Sequence, residues 1–406
     1  VYWEQQGLPP DELARLDGTW VATEADAQPD EAHTPPLWTW DYLASYPFED
    51  TEPFGGQQGD PPRSTDTANK PAPSGGSARD AVVQRVLYVG PRYAGAQLRG
   101  GIDYGMWNFL RTFEAYEGVE VDHFDMHEEP VRHGAAGMAE RLERSLAGNA
   151  WDLVFFAPSE NEHDRAVMEA LRAGGDACSL AWITDPTLVE DPRSRVDSVL
   201  TPTSAGDSPS NVIPLRWACN TREYRPEADG RESCLHIVRS GIDEEGGDFV
   251  EAARSSGIPV SVIVADGPRG LPFAELQYAF SRAKVSFVCG ALAGRFAVEA
   301  AARCGFVIAQ PFDGLTDYFR DDPPGQRRFA ELATAREPRE LVEKASHALA
   351  HDREREVIAE RAYQRVQREH TWFRRLEDVG ERIGLRFPTP PEDPVHSSPF
   401  TAIYSR

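Results

Sequence analysis

From Arg85 onward, short apolar runs alternate with helix-length amphipathic stretches, and that alternation leaves the chain few folds to choose from. Runs rich in β-branched and aromatic residues occur at 85–90, 119–124, 152–157, 180–184, 197–201 and 211–215. Helical patterns at 102–117, 134–149 and 161–174 separate the first four. A strand that is apolar along its whole length must be covered on both faces, which a parallel sheet sheathed by helices provides. The series then restarts, with strands at 234–238, 260–264, 285–289 and 306–310 and helices near 246–256, 273–283 and 294–304. Two doubly wound α/β domains in tandem are therefore expected, with the boundary near 216–233. The C-terminal part reads as helical: Leu341, Ala345, Ala348 and Leu349 share one face, and a single arginine-rich helix is expected from about 352 to 384. The end, 388–406, reads as extended.

Residues 1–80 differ from the rest of the chain. They are rich in Pro, Asp, Glu, Gly and Ser and end in a linker-like run at 71–77, so they are expected to be largely irregular. Trp38, Trp40, Tyr42, Leu43, Tyr46 and Phe48 interrupt that pattern. They fit either an arm that packs on its own globular body or a docking motif for a protein partner.

Net charge bounds the partners. At −24 the surface repels phosphate backbones and anionic lipid, which argues against nucleic-acid or membrane-surface binding. Positive charge comes almost wholly from arginine, the lysines being Lys70, Lys284 and Lys344. The five cysteines (178, 219, 234, 289, 304) are scattered without metal-ligand spacing and read as reduced core thiols, and the histidines likewise show no ligand spacing. No metal and no cofactor are expected. Without a signal peptide or a span-length apolar run, a cytoplasmic location is expected.

Several residues fall where open parallel sheets bind ligands, beyond the carboxyl ends of the strands. Arg295–Gly305 runs into the buried strand at 306–310 and carries one carboxylate, Glu299, expected early on its helix. A carboxylate at a helix start can accept hydrogen bonds from two neighbouring hydroxyls, as on a ribose; a solvated surface glutamate is the plainer alternative. Gly90, Gly95, Gly100 and Gly101 precede the first helix and would let backbone N–H groups approach a phosphate, although their spacing is not the dinucleotide fingerprint. Arg239 stands just past a strand end, placed to pair a diphosphate bidentately, with Arg295 a second candidate. Asp185 ends another strand and fits either an acceptor-side base or a turn residue before Pro186. His370 reads as structural.

The segment Arg295–Gly305, the later Glu340-Leu341 with its helix, and the run from Arg368 through His370, Thr371 and Trp372 to Arg375 together resemble group 1 glycosyltransferases of the CgeB-like (spore maturation protein B) branch. The stretches 211–215 and 224–226 resemble that family's link between domains. The resemblance covers roughly residues 85–386. It implies a GT-B fold of two Rossmann-like domains, 81–217 for the acceptor and 218–370 for a nucleotide-sugar, with 371–406 as a helix crossing back to the first domain and an extended tail. It also implies that Glu299 holds the donor ribose, that Arg239 and Gly100-Gly101 hold the diphosphate, and that Asp317 helps hold the sugar. The chain departs from the pattern at Ala291, where relatives carry a second glutamate, and at Glu245, where they carry a lysine. Three readings follow: a metal-independent glycosyltransferase acting on an unidentified acceptor, a degenerate member serving as a binding or assembly component, and, third, a sugar-phosphate epimerase.

Overall fold

The computed structural model describes residues 82–92, 103–158, 164–173, 177–184, 196–202, 211–224, 231–240, 246–265, 271, 273–320 and 330–391. The chain divides into residues 1–44 and 45–406, and every described residue belongs to the second unit. The N-terminal aromatic cluster, Gly95, Gly100, Gly101, Asp185 and Glu245 lie outside the described residues.

The apolar runs pair as expected. β1 (Arg85–Gly90), β2 (Glu120–Asp125), β3 (Leu153–Phe156), β4 (Cys178–Trp182), β5 (Ser198–Thr201) and β6 (Val212–Pro214) form a six-stranded sheet ordered β2-β1-β3-β4-β5-β6. β7 (Glu232–Arg239), β8 (Val260–Val264), β9 (Ala283–Val288), β10 (Phe306–Ala309) and β11 (Ala333–Thr334) form a five-stranded sheet ordered β11-β10-β9-β7-β8. Every pairing in both sheets is parallel. In each sheet the first strand has its successors on opposite sides. This opens a crevice at the carboxyl ends of β1 and β3 in one lobe and of β7 and β9 in the other.

Helices cover both faces. α1 (Arg111–Ala115) continues a π-helical turn, Met106–Leu110, and replaces the uninterrupted helix expected over 102–117. α2 (Glu128–Gly148) and α3 (Asp164–Ala173) follow in the first lobe. α2 buries Met138, Leu142 and Leu146, one turn apart, and is broken at Gly134, whose φ of 72° only glycine adopts readily. The helical period begins at 134 in the sequence because the regular face begins only after that break. In the second lobe come α4 (Gly247–Ser255), α5 (Phe273–Arg282), α6 (Ala293–Ala302), α7 (Leu315–Tyr318) and α8 (Pro338–Ala350).

The single helix expected from 352 to 384 is two: α9 (Asp352–Glu369) and α10 (Trp372–Ile383). The break is capped, since the Thr371 side chain accepts from the Arg374 amide, satisfying one orphan donor of α10. Thr371 also bridges to Cys219 in parallel, and the Trp372 amide donates to the Cys219 carbonyl. Trp372 is fully buried against Phe109 and Trp182 of the first lobe, at centroid distances of 4.5 and 5.1 Å. Beyond α10, the Val83 amide donates to the Arg386 carbonyl. The segment just after α10 is thus fastened back onto the lobe where the sheet series starts.

Three apolar cores result. One lies beneath α2 and α3 in the first lobe and one beneath α4, α8 and α9 in the second. The third runs across the junction and joins Phe109, Trp182, Trp217, Phe273, Phe296, Tyr318 and Trp372.

Candidate functional site

At the first crevice, Asp103 begins the helical turn leading into α1. Its Oδ1 accepts from the Gly105 amide at 2.6 Å. A Cβ on Gly105 would stand 2.5 Å from the Tyr88 hydroxyl, 3.0 Å from Asp103 Oδ1 and 3.1 Å from Ala157, so only glycine lets this turn settle over β1 and β3. Burial pushes the Asp103 carboxyl up to about 6, although its backbone amide donors and the Arg295 charge act in the opposite direction. Asp103 is not among the residues that sequence reasoning singles out. Its signal is an aspartate two positions after a glycine pair and just before a helix, the N-cap pattern.

In the second lobe Arg239 ends β7, and beside it a hollow opens between α4 and β8 rather than in the β7–β9 crevice. The hollow, of about 350 Å³, is lined by Arg239, Gly247, Val250, Glu251, Arg254 and Val262, among others. Gly246, with φ 98°, turns the chain into α4 and faces Cys289 Sγ and the Arg239 stem. Arg239 and the N-terminal turn of α4 therefore share one end of this hollow, where the helix dipole favours an anion.

Glu299 stands elsewhere. Its helix, α6, begins at Ala293, so the carboxylate lies two turns in rather than at the start, and it is 1% exposed. Its oxygens accept from Arg295 Nε at 2.9 Å, Gln277 Nε2 at 2.9 Å and Tyr224 Oη at 3.4 Å. The network continues into the first lobe: Asn108 Nδ2 donates to Tyr224 Oη, and the Asn220 amide donates to Asn108 Oδ1. The Arg295 guanidinium lies 4.2 Å from the Tyr104 ring centroid, a cation–π contact between lobes. Burial opposes the Arg295 charge, but Glu299 and the surrounding tyrosines outweigh it and hold the guanidinium above its ordinary range.

The structure thus joins Arg295 to Glu299 and sets Arg239 in a hollow that Glu299 does not line. Asp317, on α7, forms an exposed 2.7 Å ion pair with Arg216 of the interlobe connection. His370 Nε2 meets the Tyr318 carbonyl at 2.6 Å, and its Nδ1 accepts from Arg375 Nη2 at 2.9 Å. Burial and the adjacent Arg375 charge lower its pKa to about 3, so the ring is neutral and fully used in hydrogen bonds, as a structural residue would be. All five cysteines are buried and unbridged. Among the described residues, no helix is long and apolar enough to cross a membrane.

A family model described as glycosyl transferase-like matches residues 248–380. No curated protein matches the chain by sequence. Among solved structures, Anabaena Alr3699/HepE in complex with UDP-glucose is similar over 74% of this chain and 99% of its own, at 11% identity and a TM-score of 0.50. An alpha-glucosyltransferase in complex with UDP and an HMU-containing DNA is similar over 75% of this chain and 100% of its own, at 10% identity and a TM-score of 0.47. A mutant of Staphylococcus aureus TarM in complex with UDP is similar over 61% of this chain and 59% of its own, at 11% identity and a TM-score of 0.44. Of these three only the first reaches 0.50, and at that identity it speaks for the fold alone. With the two parallel sheets, it establishes a two-domain, Rossmann-like α/β fold whose second lobe carries the glycosyl transferase-like sequence.

Proposed function

We propose that this chain is a glycosyltransferase that moves a sugar from a nucleoside-diphosphate donor to an acceptor facing the second lobe, without a metal. The glycosyl transferase-like match carries this reading, because it spans 248–380 and so includes α6 with Glu299. In it the donor diphosphate meets Arg239 and the N-terminal amides of α4, and preorganised positive charge stabilises the departing group. Glu299 receives the ribose once Arg295 or Gln277 releases one of its carboxylate oxygens. Gly100-Gly101 approaches the phosphates through backbone amides, Asp317 supports the sugar, and Asp103 joins Asp185 as an acceptor-side carboxylate. A place in the CgeB-like branch and a cytoplasmic location belong to the same proposal.

One observation favours a second reading, a degenerate binding or assembly component: both Glu299 oxygens already have buried partners. A thermal-shift titration with nucleoside diphosphates separates the two. The transferase reading expects saturable stabilisation that Glu299→Gln and Arg239→Ala each reduce, the latter affecting diphosphates far more than the bare nucleoside. No shift with any nucleotide, and no labelled product from a panel of nucleotide-sugars, would leave only the binding component. Label released as free sugar rather than on an acceptor would indicate an epimerase.

A further inference from the structure

The structure assigns a second site, unrelated to sugar transfer, at the opposite end of β7: we propose that Glu232, Cys234 and His236 bind a zinc ion. Cys234 and His236 alternate along the strand and share a face, and an irregularity in the β7–β9 register between Glu232 and Leu235 lies beside Glu232. One carboxylate oxygen, one sulfur and one ring nitrogen lie within 4.8 Å of one another. Tetrahedral zinc with bonds of about 2.0–2.3 Å requires ligand atoms roughly 3.3–3.8 Å apart, so small side-chain rotations close the set.

The surroundings orient all three groups. Cys234 and His236 are 9% and 5% exposed, beneath α5. The Ala279 backbone of α5 hydrogen-bonds the His236 ring, while Nδ1 has no hydrogen-bond partner. An imidazole held on one nitrogen by a carbonyl and presenting the other is the usual arrangement of a metal-ligating histidine. Arg282 engages Glu232 through Oε1 alone, Nη2 at 3.0 Å and Nε at 3.3 Å. The other oxygen, Oε2, turns to Cys234 Sγ at 3.9 Å. A buried imidazole with one unpartnered nitrogen, a thiol and a carboxylate oxygen therefore lie together, and thiolate, imidazole and carboxylate suit zinc.

Binding would expel the thiol proton, and two anionic ligands would balance the ion's two charges. Glu232 is exposed, so water completes the coordination from that side. A set with a strand's period of two escapes any search for like-residue pairs or helical spacing, which is why the sequence showed no ligand pattern here. The ion would be held by β7 alone, at the end of the sheet away from the crevice, so nucleotide binding does not depend on it.

The test uses the full-length protein, stripped of metal by chelator dialysis and titrated with Co²⁺, whose thiolate complexes absorb in the near ultraviolet. A charge-transfer band saturating near one equivalent, displaced by Zn²⁺ and abolished in Cys234→Ser, is the expected result. Glu232→Gln alters an exposed side chain, endangers folding least, and should weaken zinc binding at least tenfold. Absence of the band in the unaltered protein, its survival in Cys234→Ser, or unchanged zinc affinity in Glu232→Gln would each overturn the site.

Discussion

Two buried polar junctions hold the lobes together, and they balance charge differently. Around Glu299, a carboxylate and the Arg295 guanidinium neutralise each other, and Gln277 and Tyr224 occupy the remaining carboxylate positions. Around His370, Arg375 donates to the Arg216 carbonyl and to the neutral imidazole, and the carboxylate it faces, Asp378, is 4.0 Å away and half exposed. Burial accordingly lowers the Arg375 pKa, whereas that of Arg295 is raised. The first junction is a closed ion pair that would leave a buried charge if either partner were lost. The second is a cation supported by dipoles, with no room for another proton.

The largest effect should come from opening the ion pair. Glu299→Ala leaves Arg295 charged and buried, and breaking such a pair costs about 3–5 kcal/mol. Arg375→Met removes charge and donor together, leaving acceptors unpaired, which costs about 1–3 kcal/mol. Urea denaturation of both variants checks the order. Equal losses, or a larger loss for Arg375→Met, would break the contrast.

Acid should act on the two sides of the cleft in opposite directions. The folded pKa of His370 lies near 3 against an ordinary 6.5, so below 6.5 the unfolded chain takes up the proton first. Stability is therefore lost as pH falls from 6.5 toward 3, by about 1.4 kcal/mol per unit. Asp103 is the reverse, with a folded pKa near 6 against 3.8, so the folded chain holds the proton more tightly. Its contribution is complete below 3.8 and lost as pH rises through 6, with the same slope and opposite sign. Between about pH 4 and 6 the two largely cancel. Asp103→Asn, which keeps the acceptor for the Gly105 amide, should expose the histidine slope as a steeper acid loss. His370→Gln should instead leave a protein that gains stability on acidification. Denaturation midpoints across roughly pH 4 to 6 decide it, and identical profiles in all three proteins would remove both assignments.

Much of the scaffold was written in the chain's periodicity, because strands buried on both faces repeat a signal that side-chain chemistry cannot disguise. The break between α9 and α10 was not legible in the periodicity, although the family resemblance implied a crossing helix from 371. Glu369, His370 and Thr371 continue a helical composition, and only the pairing of Thr371 with Cys219, far earlier in the chain, sets the cap in place. Glu299 was found as a residue but not in its surroundings: its partners Gln277 and Tyr224 come from other parts of the chain, and no local pattern announces them. Asp103 and the Glu232–Cys234–His236 set had local signals, an N-cap after glycines and an alternation along a strand. Both fall at the ends of elements, where two periods overlap.

The smallest expected effect separates holding the fold from holding a ligand. Asp317 and Arg216 are 47% and 48% exposed, and a pair this wet contributes about 0–1 kcal/mol. Asp317→Asn should therefore leave the denaturation midpoint nearly unchanged, unlike Glu299→Ala at the buried pair. If Asp317 supports the donor sugar, the same change should weaken binding of a nucleotide-sugar while sparing the free nucleoside diphosphate, because the altered group meets only the sugar. Calorimetric titration with both ligands makes the comparison. Equal affinities in variant and parent would confine Asp317 to its surface ion pair, and a large stability loss would show that the exposed contact between the connection and α7 bears more of the fold than its wetness allows.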